Sequence, residues 1–73
     1  MNDNQRMRFG QHLARLRRQS MLTQEQLAEL ADLKPVTVRN IEQGAFNVPF
    51  DVLDRLAVVL GGELRIVIND LNV

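Results

Sequence analysis

The side chains with the most distinctive chemistry in this sequence lie on one face of a short predicted helix, residues 35–43. At 100° per residue, Val38 and Ile41 point to one side of that helix. The opposite side carries a guanidinium, two carboxamides and a β-branched side chain, from Arg39, Asn40, Gln43 and Val36. Proteins contact base edges in the DNA major groove with groups of these kinds. The pattern predicts that one face packs and the other is free to contact DNA, with a merely solvated face as the alternative.

The segment before this helix predicts a partner helix, joined to it by a tight turn. Thr23 and Gln26 have the spacing of a capping box, in which each side chain accepts a hydrogen bond from the other residue's backbone N–H. Leu22 and Leu27 flank the box as a hydrophobic staple. Apolar residues then follow at helical spacing until the chain turns at Asp32. These residues are Leu27, Ala28, Leu30 and Ala31.

Two longer helices are predicted on either side of this pair. The first runs from about residue 4 to residue 19 and turns Phe9, Leu13 and Leu16 toward a core. The last begins near Pro49 and ends at Leu60, where two glycines follow. Its apolar positions are Phe50, Leu53, Leu56, Ala57 and Leu60.

The residues after these glycines alternate in a way that predicts a β-strand over residues 63–69. Leu64, Ile66 and Ile68 fall on one side of it. No other segment has strand character, and an unpaired strand leaves a row of unsatisfied backbone groups. We therefore expect it to pair with the same strand of a second copy across a two-fold axis. The apolar side of the strand is the predicted dimerisation surface.

Four stretches of the sequence resemble the helix-turn-helix family of phage Cro and repressor proteins. The resemblance covers roughly residues 8 to 61, and its spacing is more specific than a single short motif. The matching patterns are Phe9-Gly10-x-x-Leu13-x-x-Leu16-Arg17, Leu22-Thr23-Gln24-Glu25-x-Leu27-Ala28, Ile41-Glu42-x-Gly44 and Phe50-x-x-Leu53-x-x-Leu56-Ala57-x-x-Leu60-Gly61.

The resemblance implies an all-α fold, a compact phage-repressor-like domain of four to five helices. To this the alternating segment adds one C-terminal β-strand that pairs across a dimer. Residues 1–61 are then the DNA-binding domain, and residues 62–73 are the dimerisation strand and tail. Two departures concern the turns, because Met21 and Asp32 stand where the family usually has glycine in a left-handed conformation. A third is Lys34-Pro35, which stands where the family commonly has a Ser or Thr cap.

The resemblance also implies roles for individual residues. The residues expected to contact bases are Pro35, Val36, Arg39 and Asn40. Those expected to contact DNA phosphates are Gln24, Lys34, Thr37 and Gln43. For Arg39, guanine and a phosphate are both open as partners. Arg17 and Glu42 are expected to form a structural ion pair, whereas Arg15 and Arg18 are either solvated or in contact with phosphates.

Composition limits the possible functions. The 73 residues suffice for one small domain, and the lack of cysteine excludes disulfides and makes a reducing cytoplasm the expected location. A single histidine, His12, predicts neither a metal site nor a cofactor, and no nucleophile and base suggest an enzyme. Neither a signal peptide nor a run of membrane-spanning length is present, so no membrane contact is expected.

The net charge is zero, but the charges are unevenly distributed. The first 22 residues contain five arginines and one aspartate, whereas residues 49–73 contain two arginines and four acidic residues. A basic first part favours contact with phosphates, and the low overall charge predicts modest non-specific affinity.

The leading hypothesis is a homodimeric repressor that binds double-stranded DNA at an inverted repeat, with half-sites about one helical turn apart. The appended strand resembles that of HipB-type antitoxins, which implies an autoregulating antitoxin of a toxin-antitoxin pair. The alternative is a protein-interaction module whose main task is to neutralise a HipA-like kinase toxin. Operator, regulated genes and any toxin are not given by the sequence.

Overall fold

A computed structural model describes residues 1–45 and 47–65, and every regular element within them is a helix. Four helices occupy the predicted positions, and a short helical turn over residues 62–65 follows the fourth. The four are α1 (Asp3–Gln19), α2 (Gln24–Leu30), α3 (Pro35–Glu42) and α4 (Phe50–Leu60). The all-α prediction is confirmed. No helix in the described ranges combines the length and apolar character that a bilayer crossing needs.

Capping boxes define where α1 and α2 begin. At α2 the Gln26 backbone N–H donates to the Thr23 hydroxyl at 3.0 Å, and the Thr23 N–H donates to the Gln26 carboxamide oxygen at 2.8 Å, as predicted. Asn2 and Gln5 form the same reciprocal pair at α1. Each box satisfies N–H groups that have no partner within the helix.

Three successive helices end in the same way, with one residue in the left-handed conformation. These residues are Met21, Asp32 and Gly44, with φ of 59°, 56° and 71°. After α1, the Met21 N–H donates to the Arg18 carbonyl at 2.9 Å and the Leu22 N–H to the Arg17 carbonyl at 3.1 Å, which is the Schellman pattern. The turn at Met21 therefore has the geometry that glycine favours, although methionine carries a Cβ penalty there.

The hydrophobic core is built from all four helices, from Val48 before α4 and from Leu64 after it. Its members are Phe9, Leu13, Leu16, Leu27, Ala28, Ala31, Val38, Ile41, Val48, Leu53, Leu56, Ala57 and Leu64. Two residues that were assigned to apolar faces are instead exposed: Leu30 at 61% and Phe50 at 74%. Leu30 lies about 100° around α2 from the mean direction of its buried residues, and Phe50 begins α4, one turn before Leu53.

The predicted strand is wrong over residues 63–65. This part of the chain is helical, and the side chain of Leu64 is fully buried in the core of its own protomer. A short apolar run has no periodicity long enough to separate strand from helix, so burial against α1–α4 decides the conformation. Leu64 is thus a core residue and not part of a dimerisation strand. Ile66 and Ile68, the other two predicted members, lie outside the described residues.

Replacing Met21 by glycine is expected to stabilise the protein. The substitution removes a steric cost of about 1–2 kcal/mol from the folded state. Glycine also gives the unfolded chain more conformational freedom, which lowers stability by about 0.5–1 kcal/mol. The net gain in stability is therefore about 0.5–1 kcal/mol. The melting temperature should rise by about 4 °C. Because Met21 is 89% exposed, little packing is lost. Asp32→Gly is the matched control and should gain less, since aspartate tolerates this conformation better. A gain at Asp32 as large as that at Met21 would contradict the strain argument.

Candidate nucleic-acid interface

The third helix has one buried face and one exposed face, in the arrangement that its sequence predicts. Val38 and Ile41 are buried, at 0% and 1% exposure, whereas Val36 is 44% exposed. Four other residues of the α3 region, predicted to contact bases or phosphates, are also exposed, and two are half-buried. The exposed ones are Lys34, Pro35, Arg39 and Gln43, and the half-buried ones are Thr37 and Asn40.

The polar side chains on this face have no partners within the described part of the chain. Lys34, Thr37, Arg39, Asn40 and Gln43 form no side-chain hydrogen bond or ion pair with any residue of 1–45 and 47–65. Cationic side chains on a protein surface can form ion pairs with nearby carboxylates, and Arg39 and Lys34 form none with the described residues. Here the guanidinium and both carboxamides keep their hydrogen-bonding capacity available for a ligand.

A partly buried ion pair joins α1 to the end of α3. The Arg17 Nε donates to Glu42 Oε2 at 2.7 Å, and Arg17 Nη2 donates to Glu42 Oε1 at 3.1 Å. The third guanidinium nitrogen, Nη1, donates to the Leu22 carbonyl at 2.8 Å. The two side chains are 11% and 7% exposed, so this bidentate pair is largely shielded from water.

The environment of Arg17 stabilises its charged form. Its hydrogen bond to Glu42 raises the pKa of Arg17, burial opposes that rise, and the negative charges of Glu42 and Glu25 add to it. A cation whose pKa rises on folding stabilises the fold at every pH below its unfolded pKa. The contribution is therefore present at neutral pH and is lost only as the pH rises through the pKa of Arg17 in the folded protein.

Gln24 is the third member of this cluster. Its side-chain Nε2 donates to Glu42 Oε1 at 3.0 Å, so the first residue of α2 also binds the carboxylate at the end of α3. The sequence predicts a phosphate contact for Gln24 and gives no indication of its contact with Glu42. The partners are separated by 18 residues, and helical periodicity within one element holds no signal for such a pair.

Gly10 lets α1 approach the last turn of α3 closely. A Cβ atom at this position would lie 2.4 Å from the Ile41 carbonyl oxygen and 2.6 Å from that of Glu42. These distances are too short for any other residue type without a shift of backbone. A glycine in the interior of a predicted helix is the sequence signal that could have indicated this approach.

The N-terminal arginines divide into structural and exposed groups. Arg6 pairs with Asp3 and also donates to the Gly44 carbonyl at 3.3 Å and to Asn47 Oδ1 at 3.2 Å, which ties α1 to the loop after α3. Arg17 forms the ion pair with Glu42. Those that remain exposed are Arg8, Arg15 and Arg18. Arg15 contacts His12 Nδ1 at 3.1 Å, and the described residues contain no cluster of metal-binding side chains.

A capped helix, a tight turn and a second helix with an exposed polar face define a helix-turn-helix protein. A partly buried ion pair holds this second helix against α1. The family model described as "Helix-turn-helix domain" matches residues 8–65, so the chain belongs to this family. This is the Cro/repressor-like class that the sequence motifs indicate, and that prediction is confirmed.

Two characterised relatives are controller proteins. The chain is 36% identical over 62 residues to the control protein C.BamHI of Bacillus amyloliquefaciens. The aligned region covers 84% of this chain and 76% of C.BamHI. It is also similar to the crystal structure of the restriction-modification controller protein C.AhdI from Aeromonas hydrophila, with a TM-score of 0.78 and 38% identity. That match covers 84% of this chain and 92% of the other. The protein is a DNA-binding transcription regulator.

Breaking the Arg17–Glu42 pair from one side should destabilise the fold strongly. Arg17→Met or Glu42→Leu alone leaves a partly buried charge without its partner and should cost about 2 kcal/mol in free energy of unfolding, measured by urea titration. The double variant should lose much less than the sum. The exposed pair of Arg55 and Asp51, with side chains 46% and 67% exposed, is the control and should contribute under about 1 kcal/mol. Additive losses at Arg17 and Glu42 would show that the pair is not coupled.

Proposed function

We propose that the protein acts as a homodimer that inserts α3 of each protomer into successive major grooves of an inverted-repeat operator. The observation that carries this proposal is the unpartnered polar face of α3, held in a fixed orientation by the Arg17–Glu42–Gln24 cluster. A recognition helix held in a fixed orientation needs no backbone rearrangement to bind, which lowers the cost of a specific base contact.

Individual contacts follow from the chemistry of each side chain. The Asn40 carboxamide suits a bidentate pair with adenine, and Arg39 suits guanine or a phosphate. Val36 and Pro35, both exposed at the start of α3, offer apolar contact to a thymine methyl group. We assign the phosphate contacts to the residues around these base-contacting side chains. These are Lys34, Thr37, Gln43 and, through its backbone N–H because its side chain is engaged, Gln24.

We propose a dimer contact that differs from the predicted strand and lies on α4. Phe50 and Val58 are 74% and 72% exposed, lie eight residues apart on α4, and have Asp54 between them on the same side of the helix. Two copies of α4 packed antiparallel across a two-fold axis would bring Phe50 of each protomer against Val58 of the other. Asp54 would lie near the axis, and its charge is offset by Arg65 at 2.9 Å.

Both relatives favour a controller role. C.AhdI is a restriction-modification controller and C.BamHI a control protein, and we infer that this chain regulates transcription in a restriction-modification system. The antitoxin hypothesis depends on a C-terminal strand, whereas Leu64 is a core residue of a helical segment. A HipA-like toxin partner stays an alternative prediction. Affinity capture of the native protein from its own cells distinguishes the two, since only an antitoxin retains a stoichiometric kinase.

Alanine at Asn40 or Arg39 should remove specific DNA binding without unfolding the protein. Binding-site selection from random duplexes should first enrich an inverted repeat with half-sites about 34 Å apart. Each substitution should then weaken binding to that duplex by about 1–3 kcal/mol per lost base contact, in gel-retardation titrations. Asn4→Ala and Arg8→Ala are matched controls, because these exposed residues of α1 have the same chemistry away from α3. Equal losses in the controls would contradict the assignment.

Replacing both Phe50 and Val58 by serine should convert the dimer into a monomer in sedimentation equilibrium. Leu30→Ser is the control, because Leu30 is equally apolar and 61% exposed but lies on α2. A truncated chain without residues 66–73 keeps the core residue Leu64 and tests the segment that holds Ile66 and Ile68. If the serine variant stays dimeric and the truncated chain is monomeric, the α4 contact is wrong.

A further inference from the structure

A polar groove of about 350 Å³ lies where α1, the start of α2 and the end of α3 meet. It is lined by Gln11, Ala14, Arg18, Gln24, Glu42 and Gln43. Gln43 and Gln24 are also proposed phosphate contacts, so the groove is continuous with the α3 surface. From the sequence alone, Arg18 of α1 is either solvated or in contact with DNA phosphates.

The acidic residue in the groove does not repel an anion strongly. Glu42 accepts two hydrogen bonds from the Arg17 guanidinium and a third from Gln24 Nε2, and its side chain is only 7% exposed. The paired guanidinium offsets its charge at 2.7 Å. The groove therefore presents a neutralised wall on this side.

The α1 side of the groove is open and carries an unpaired cation. Gln11, Ala14 and Arg18 stand at i, i+3 and i+7, which places them along one face of α1. Arg18 and Gln11 are exposed, and the guanidinium of Arg18 forms no hydrogen bond or ion pair with a residue that the structure describes. The small side chain of Ala14 between them leaves room for a ligand to approach the helix.

We propose that this groove receives a phosphate of the DNA backbone, with Arg18 as its cationic contact and Gln11 and Gln43 as hydrogen-bond donors. The inference rests on the proposed function and extends it, because it makes α1 a DNA-contacting element as well as a structural one. A phosphate of the duplex is favoured over a free phosphate ion. One guanidinium and two amides bind a free ion weakly, whereas a duplex already held by the α3 contacts brings its phosphate to the groove at a high effective concentration.

The test compares Arg18→Gln with Arg15→Gln on the selected operator duplex at 50 and 200 mM salt. Both variants remove one exposed arginine of α1, but only Arg18 lines the groove. Loss of one phosphate contact in each protomer should reduce the slope of log affinity against log salt by about 1.8 for Arg18→Gln. The 50-to-200 mM affinity ratio should then fall about tenfold relative to the wild type. Arg15→Gln should keep the wild-type slope, and both variants should melt like the wild type.

Three outcomes overturn the inference. Equal slope changes in the two variants would mean diffuse electrostatic attraction, and an unchanged slope for Arg18→Gln would mean that no phosphate is bound there. In both cases binding by the wild type, and its loss in Asn40→Ala, would leave the proposed function standing. Failure of the wild-type protein to retain any duplex would instead remove the proposed function and this inference together.

Discussion

The bidentate pair of Arg17 and Glu42 is the interaction on which the DNA-binding arrangement depends. The carboxylate at the last residue of α3 receives donors from α1 and α2, so three helices meet at one side chain. Such a pair adds little net stability compared with an apolar contact, but it fixes one geometry because both partners are directional and shielded from water. Gly10 supports the same arrangement sterically, since its missing Cβ allows α1 to reach the carbonyls of the last turn of α3.

A protein of zero net charge can still present a cationic surface if its charges are divided by role. Arg6 and Arg17 are used inside the fold, where each makes several hydrogen bonds. The exposed acidic residues of α4 pair with nearby arginines, as Asp54 does with Arg65. The basic groups of the proposed interface, Lys34 and Arg39, are left without partners in the described chain. Weak non-specific attraction then leaves discrimination to the base contacts.

Local signals in the sequence predicted most of this fold, and long-range contacts account for what they missed. The capping box at Thr23 and the two faces of α3 follow from residues within a few positions of each other, which periodicity and hydrogen-bonding chemistry describe well. The exposure of Leu30, the burial of Leu64 and the contact of Gln24 with Glu42 depend on which element packs where. The alternation of residues after Gly62 is typical of a strand, but Leu64 is buried in the core by a helical segment. At this position tertiary burial overrides the local pattern.

The proposed dimer and the proposed base contacts need each other. One α3 offers few base contacts, and a neutral protomer gains little from phosphate attraction, so a single half-site would be bound weakly. Joining two protomers makes the second half-site contact intramolecular, which raises affinity by orders of magnitude without any new contact to DNA. Because Leu64 serves the core of its own protomer, the apolar surface available for this joining in the described residues includes Phe50 and Val58 of α4. Regulation by concentration follows, since occupancy of the operator would rise steeply as protomers associate.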